Sequence, residues 1–278
     1  MIHEIFPHQL NNHFVITNEI DENDYILQYN EQGVLLKVND EEFDLPRKKD
    51  ISNLLSTAES TYLFLLNDVR CFLVWDNPKN NNDQFIYKDI SFLRNFKPKE
   101  IAWVGVVGFQ LRNWYSQNKF CGMCGSATHE KADERAVVCP NCANIVYPKI
   151  SPAIIVAILC KGKILLAHNS NFQDNWYSLV AGYVDIGESL EETVMREVKE
   201  EVGLDVRNIR YYKSQPWPFS GSMMIGFFAE ADDTQPICTD NVEITDANWY
   251  NRGQLPNHPP VISIAGEMID KFEKGEVG

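Results

Sequence analysis

At 278 residues, with 44% hydrophobic and 23% charged side chains, the chain has a globular composition and room for about two domain cores, which excludes fibrous and broadly disordered classes. Its formal charge of −14 argues against wrapping an extended nucleic-acid duplex, because that affinity rests on Lys and Arg neutralising phosphates. The longest apolar runs, IAWVGVVGF and AIIVAILC, are too short for a membrane span, and the start lacks a basic-then-apolar leader, so a cytoplasmic protein is expected.

The first hundred residues alternate apolar and β-branched runs with Asn, Asp and Gly turns. HFVITN, YILQYN, GVLLKV, TYLFLL and CFLVWD read as short strands, and NPKNNND at 77–83 reads as a surface loop. PKEIAWVGVVGFQLRNWYSQNKF opens on proline and ends polar, which predicts a helix. These segments make up a strand-rich N-terminal domain with its connecting helix, expected over residues 1–115.

Four of the seven cysteines follow as Cys121-x2-Cys124-x14-Cys139-x2-Cys142. Each C-x2-C turn presents two thiolates on one side, and two such knuckles supply the four sulfur ligands of one structural Zn²⁺. A zinc ribbon is expected over 116–149. Cys71, Cys160 and Cys238 sit among apolar or β-prone residues and read as small hydrophobic side chains. His129 and His168 read as surface or structural histidines.

Beyond the ribbon, IVYPKISPAIIVAILCKGKILLAH reads as strand, turn, strand with Gly162 at the turn, opening a domain expected over 150–278. The run GYVDIGESLEETVMREVKEEVGL carries the chemistry. Ser189 and Glu192 have capping-box spacing, Gly203 suits the far end, and Leu190, Val194, Val198 and Val202 form an apolar stripe. At ~100° per residue Glu197, Glu200 and Glu201 share one broad face. Like charges so close raise one another's pKa unless compensated, and Mg²⁺ or Mn²⁺ is the economical compensator. On the glutamates alone, a solvated acidic helix paired with Arg196 and Lys199 weighs about equally.

Gly182, Glu188, Arg196-Glu197-Val198, Glu200-Glu201 and Gly203-Leu204 resemble the Nudix box without a gap. With the ribbon before it and SQPWPF after it, the chain is similar to the NADH pyrophosphatases, the group that also includes NAD-capped RNA hydrolases. The resemblance covers residues from about Cys121 onward. It implies an α+β protein with a Nudix α/β/α sandwich built on a mixed sheet, preceded by the ribbon and a degenerate Nudix-like N-terminal domain.

The resemblance further implies that Glu197, Glu200, Glu201 and the carbonyl of Ala181 hold catalytic Mg²⁺ or Mn²⁺, with Glu243 as a further ligand. Glu188 and Arg196 orient them, and either Glu197 or Glu201 is the general base. The implied reaction is hydrolysis of the NAD(H) diphosphate to nicotinamide mononucleotide and AMP, together with removal of 5′-NAD caps from RNA. Tyr183 and Trp217 would sandwich a ring while Gln215 and Ser222 add polar contacts, in a bracket stiffened by Pro216 and Pro218 and continued by Phe219, Ser220 and Gly221. Prolines on both sides of Trp217 argue against an ordinary strand core.

Tyr147, Glu134 and Ala265 carry over as further nucleotide contacts, and Trp217 would complete the partner's pocket in a homodimer. Two positions depart from the family pattern: Ser220 replaces a usual proline, and Tyr183 stands where phenylalanine is common. Two alternatives remain open at this point. One is a Nudix hydrolase for ADP-ribose or another dinucleotide, and the other is a zinc-ribbon nucleic-acid binding module with an inactive Nudix domain.

Overall fold

The computed structural model describes residues 1–17, 19–39, 42–51, 59–75, 84–232 and 234–277. The loop expected at 77–83 lies outside the described residues. The chain divides into two compact units: Ile2–Lys149 with Pro218–Ser220, and Ile150–Trp217 with Gly221 onward and Met1. The ribbon, expected as a segment of its own, therefore groups with the N-terminal strands.

The N-terminal unit holds two four-stranded sheets. Strands β1 (Leu10–Asn11), β2 (Tyr25–Leu27), β6 (Ser60–Leu66) and β7 (Val69–Val74) form one, in the order β1-β6-β7-β2. The other has β3 (Tyr29–Asn30), β4 (Gly33–Asn39) and β5 (Glu42–Asp44) in sequence, with β8 (Phe85–Lys88) also paired to β4. A short helix α1 (Lys48–Ile51) lies between β5 and β6 in the chain. Residues 13–17 of HFVITN are not a strand: the pairing of β1 with β6 ends at Asn11, Val15 and Ile16 are exposed, and the contact to β6 is the Tyr62 hydroxyl donating to the His13 carbonyl. The predicted helix is α2 (Lys99–Gln117), whose valines and glycines are helical because the helix is buried along its length. The ribbon sheet is β9 (His129–Glu130), β10 (Val137–Val138) and β11 (Ile145–Val146).

The second unit is built on β12 (Ser151–Cys160) and β13 (Lys163–Asn169), turned at Lys161 and Gly162, both with positive φ. They are followed by β14 (Val180–Tyr183), helix α3 (Leu190–Val202), β15 (Val206–Trp217), β16 (Ser222–Ala231), β17 (Ile244–Asn251) and helix α4 (Ile264–Glu273). The sheet runs β15-β16-β12-β13-β17, with β14 on β12, and is mixed: β12 and β16 are parallel, the other pairs antiparallel.

Side chains alternate faces along a strand, so β12 feeds two cores. Ile154, Val156 and Ile158 pack with Val194, Val198 and Val202 of α3. Ile155, Ala157 and Leu159 pack with Ile264, Met268 and Phe272 of α4. A strand covered on both faces reads as one continuous apolar run, which is why AIIVAILC shows no polar alternation.

The entry to α4 is tight. A Cβ on Gly266 would lie 2.0 Å from the Pro260 carbonyl oxygen, a backbone atom that cannot rotate away. Gly266→Ala is expected to cost roughly 1–3 kcal/mol through overpacking, read as a lower midpoint of urea unfolding. An unchanged midpoint would show that the Pro259–Pro260 turn gives way freely.

Candidate active site

Helix α3 is held at both ends by the devices its sequence announces. The Ser189 hydroxyl accepts from the Glu192 amide while the Glu192 carboxylate accepts from the Ser189 amide, and Gly203 closes the helix at φ 75°. A Cβ there would meet Cys238 at 2.9 Å, and the Cys238 amide donates to the Val202 carbonyl. The helix end is thereby pinned to the segment that carries Glu243.

Arg196 organises the acidic face. Its Nε and Nη2 donate to the two oxygens of Glu188 at 2.5 and 2.8 Å, a bidentate fork, and its Nη1 reaches Glu197 at 2.8 Å and Glu200 at 3.0 Å. Nη2 also donates to the Tyr183 carbonyl at 3.1 Å. The fork holds Glu188 down to a pKa of about 2, helped by the Asp185 amide and the Thr193 hydroxyl. Glu197 packs against β14, where a Cβ on Gly182 would fall 2.0 Å from its carboxyl carbon. A side chain at 182 would displace that carboxylate from its place under Arg196.

Glu201, one turn beyond Glu197, is 6% exposed. Burial comes first among the causes that push its pKa up to about 8, followed by the charges of Glu197, Glu243, Asp240 and Glu200. Glu197 is also raised, again by burial first, although Arg196 opposes the shift. A group of carboxylates with one arginine as its cation has the donor chemistry that suits a hard divalent ion, and Glu197, Glu200, Glu201 and Glu243 are its members. Asp240, which the sequence reading passed over, fixes Glu243. Its carboxylate accepts from the amides of Val242, Glu243 and Ile244, and its own amide donates to the Glu201 carbonyl. Thr193 was also missed, although Thr193, Glu197 and Glu201 stand at i, i+4 and i+8 beside the valine stripe.

Among the described residues, the four cysteines are the metal-ligand group gathered with all donor atoms within 4.8 Å. The Cys121–Cys142 and Cys124–Cys139 sulfurs lie 3.5 and 3.4 Å apart, close to the ~3.8 Å edge of a tetrahedron with 2.3 Å Zn–S bonds. Gly125 and Ala143, each four residues after the first cysteine of a knuckle, both take positive φ, and the Met123 amide donates to Cys121 Sγ. The donor set fits one structural zinc.

The aromatic bracket differs from expectation in three respects. Ser214–Trp217 is the end of β15, not a free loop; β15 is an edge strand, where proline is tolerated because no neighbour needs its amide. Gln215 is fully buried, with its amide nitrogen donating to the Ile262 carbonyl and its oxygen accepting from the Ile264 amide, so it serves the start of α4 and is not open to a ligand. Pro218, Phe219 and Ser220 group with the N-terminal unit, and Gly221 and Ser222 with the second.

Trp217 is half-buried opposite Ser222, while Tyr183 is 55% exposed and its hydroxyl lies 3.2 Å from the Ser222 hydroxyl. Tyr183 and Trp217 thus flank one buried serine. Pro216 stands opposite Met223 on β16. Tyr147 and Glu134 are brought together in the ribbon by a 3.0 Å hydrogen bond, and Lys131 pairs with Glu134. Ala265 is buried on the core face of α4, in keeping with helix packing. His168 is bonded through Nδ1 to the Trp176 carbonyl and His129 is exposed.

Residues 149–272 match the NUDIX domain model, and residues 116–147 match the NADH pyrophosphatase zinc ribbon domain. A protein of Erwinia tasmaniensis named NAD-capped RNA hydrolase NudC is 40% identical over 184 residues, covering 66% of this chain and 70% of the relative. This chain belongs to the NudC-type branch of the NUDIX family. A NudC of Salmonella paratyphi C is 44% identical over 163 residues, 59% of this chain, and the match spans 63% of that relative's length. Among solved structures, a NUDIX hydrolase from Nitrosomonas europaea is 20% identical with a TM-score of 0.47, covering 56% of this chain and 90% of its own. No helix among the described residues is long and apolar enough to cross a membrane.

The raised pKa of Glu201 makes a stability prediction for this NudC-type protein. Between its ordinary value of 4.5 and about 8, the folded chain holds a proton that the unfolded chain has released, so stability falls as pH rises through that window. Glu201→Gln removes this penalty. Without added Mg²⁺ or Mn²⁺, the variant should melt at the wild-type temperature near the acid end and several degrees above it at the alkaline end. A melting-temperature gap that stays constant across the window would contradict the assignment.

Proposed function

We propose that this protein is a metal-dependent hydrolase that cleaves the diphosphate of NAD(H) to nicotinamide mononucleotide and AMP, and cleaves the same bond at the 5′-NAD end of RNA. The observation that carries the reading is the buried Glu201 carboxylate among Glu197, Glu200 and Glu243, a group of negative charges poised for a cation and a diphosphate. The name of its relatives, NAD-capped RNA hydrolase, supports the substrate.

Glu197, Glu200, Glu201, Glu243 and the Ala181 carbonyl would hold Mg²⁺ or Mn²⁺, which when bound would supply charge neutralisation on the diphosphate oxygens. The chain's own groups do the rest. A water oxygen adds to one phosphorus, the bridging P–O bond breaks, and the water proton passes to the Glu197 or Glu201 carboxylate. Burial keeps Glu201 a stronger proton acceptor than an ordinary carboxylate. The Glu188–Arg196 fork fixes the guanidinium that in turn holds the Glu197 and Glu200 carboxylates. Tyr183 and Trp217 stack a ring of the dinucleotide, and Ser222 contributes a hydroxyl between them. A homodimer in the cytoplasm completes the reading.

Incubation with NADH and Mg²⁺ or Mn²⁺ should yield nicotinamide mononucleotide and AMP in equal amounts, while ADP-ribose is cleaved more slowly. Stacking on an aromatic ring is worth ~1–3 kcal/mol, so Trp217→Ala should lower kcat/KM for NADH by about five- to a hundred-fold. A diphosphate substrate lacking the stacked ring should lose far less. Equal losses on both substrates would place Trp217 in the fold or the dimer and remove ring recognition from its role.

A further inference from the structure

Away from the glutamates, the N-terminal unit carries a cleft of about 640 Å³ whose lining includes Phe43, Lys88, Asp89, Phe92, Phe96 and Lys97. It sits where β5, the end of β8 and the single-turn segment Ile90–Arg94 meet. The three phenylalanines form one cluster: Phe43 meets Phe92 edge-on at 5.5 Å and Phe96 at 6.4 Å, and Phe92 meets Phe96 at 5.7 Å. Phe92 remains 36% exposed, so one ring of the cluster is open.

The charge at this cleft runs against that of the chain. The stretch QFIYKDISFLRNFKPK, residues 84–99, holds four basic residues and one acid in a chain with 39 acidic and 25 basic residues. The one acid is engaged: Asp89 caps the Ile90–Arg94 turn by accepting from the Ser91 amide and hydroxyl. Lys88 reaches over the faces of Phe43 and Phe92 at 5.6 and 5.5 Å. Among the described residues, neither Lys88 nor Lys97 has a carboxylate partner. A lysine stem laid over rings is an ordinary way to cover apolar surface. Two unpaired ammonium groups beside an open ring, in so acidic a chain, are less ordinary. Arg94 stacks on Phe219 at 5.0 Å, and Phe219 is two residues along the chain from Trp217.

We propose that this cleft is a single-stranded RNA subsite. A base stacks on Phe92 after Lys88 swings off its face, and the ammonium groups of Lys88 and Lys97 neutralise adjacent phosphates. Rings give sequence-tolerant stacking and cations follow the backbone, the combination by which proteins hold single strands. A duplex has no free base face to offer. The proposal rests on the reading that RNA is among the substrates, and it leaves the catalytic roles as they stand.

The test uses the full chain and a short uncapped single-stranded RNA labelled at its 3′ end, followed by fluorescence anisotropy over a salt series. The wild type should bind with an affinity that falls as salt rises. Each phosphate contact on a single strand contributes a slope of ~0.7 in log K against log salt, so the double variant Lys88→Gln, Lys97→Gln should lower the slope by ~1.4. Phe92→Ala should weaken binding by about five-fold or more with the slope kept. All three side chains can be changed without touching the glutamate site, so NADH hydrolysis by each variant serves as the folding control and should match wild type.

Unchanged affinity and slope in the variants, or equal competition by a duplex of the same sequence, would overturn the subsite. The oligonucleotide has no diphosphate to cleave, so its binding is read independently of the reaction. Binding with the expected dependence in a protein that does not cleave NADH would uphold the cleft and remove the catalytic reading instead.

Discussion

The Arg196 guanidinium is the contact on which the site depends. One planar cation serves Glu188 through a two-bond fork, Glu197 and Glu200 through a shared nitrogen, and the Tyr183 carbonyl at the end of β14. No lysine could do this, because a single ammonium lacks the spread of donors needed to hold three carboxylates at fixed angles. The guanidinium ties the loop before the helix, the helix face and the strand edge into one piece. It leaves Glu201, the most buried acid of the set, outside its reach. The site is therefore rigid at its edges and electrostatically unbalanced at its centre, which is the condition that favours uptake of a cation there.

That arrangement requires close approaches that only glycine permits. Gly182 lets the Glu197 carboxylate lie against β14, and Gly203 lets the segment carrying Cys238 pack on the end of α3. The two positions bound the acidic face from opposite ends. Asp240 then converts the second contact into a placement of Glu243, since its carboxylate gathers three successive amides of that turn. The box glycines are thus matters of space for particular neighbours, and the chemistry of the glutamates follows from that space.

Much of this was legible in the sequence because it is local. The capping box of Ser189 and Glu192, the valine stripe of α3, the cysteine knuckles and helix α2 all depend on residues within a few positions of one another. What was not legible depends on pairing between distant segments. HFVITN has the composition of a strand, yet the pairing with β6 stops at Asn11 and leaves Val15 and Ile16 exposed. Gln215 belongs to a run that resembles a ligand bracket, yet its amide bridges Ile262 and Ile264, 47 and 49 residues away. Tyr147 and Glu134 carry over as separate contacts, and the ribbon fold joins them to each other. In each case the residue type is right for a polar role, and the fold decides which partner it meets.

The Gln215 bridge changes how the bracket and the α4 entry should be understood. SQPWPF and SIAGEMI are remote in sequence, and the buried amide makes them one structural element in which the strand end carrying Trp217 is anchored to the helix carrying Ala265. An edge strand accepts Pro216 without losing a ladder bond and gains stiffness from it, and Pro218 stiffens the chain just past the strand end. Trp217 is then held by the proline flanks on the chain and by the Gln215 anchor two residues before it. A ring presented with so little freedom loses little entropy when a flat ligand stacks on it. In the proposed reading Trp217 would be supported by the Gln215 anchor and the carboxylates by the Arg196 fork, and the two meet at Tyr183, whose carbonyl accepts from Arg196 and whose hydroxyl lies beside Ser222.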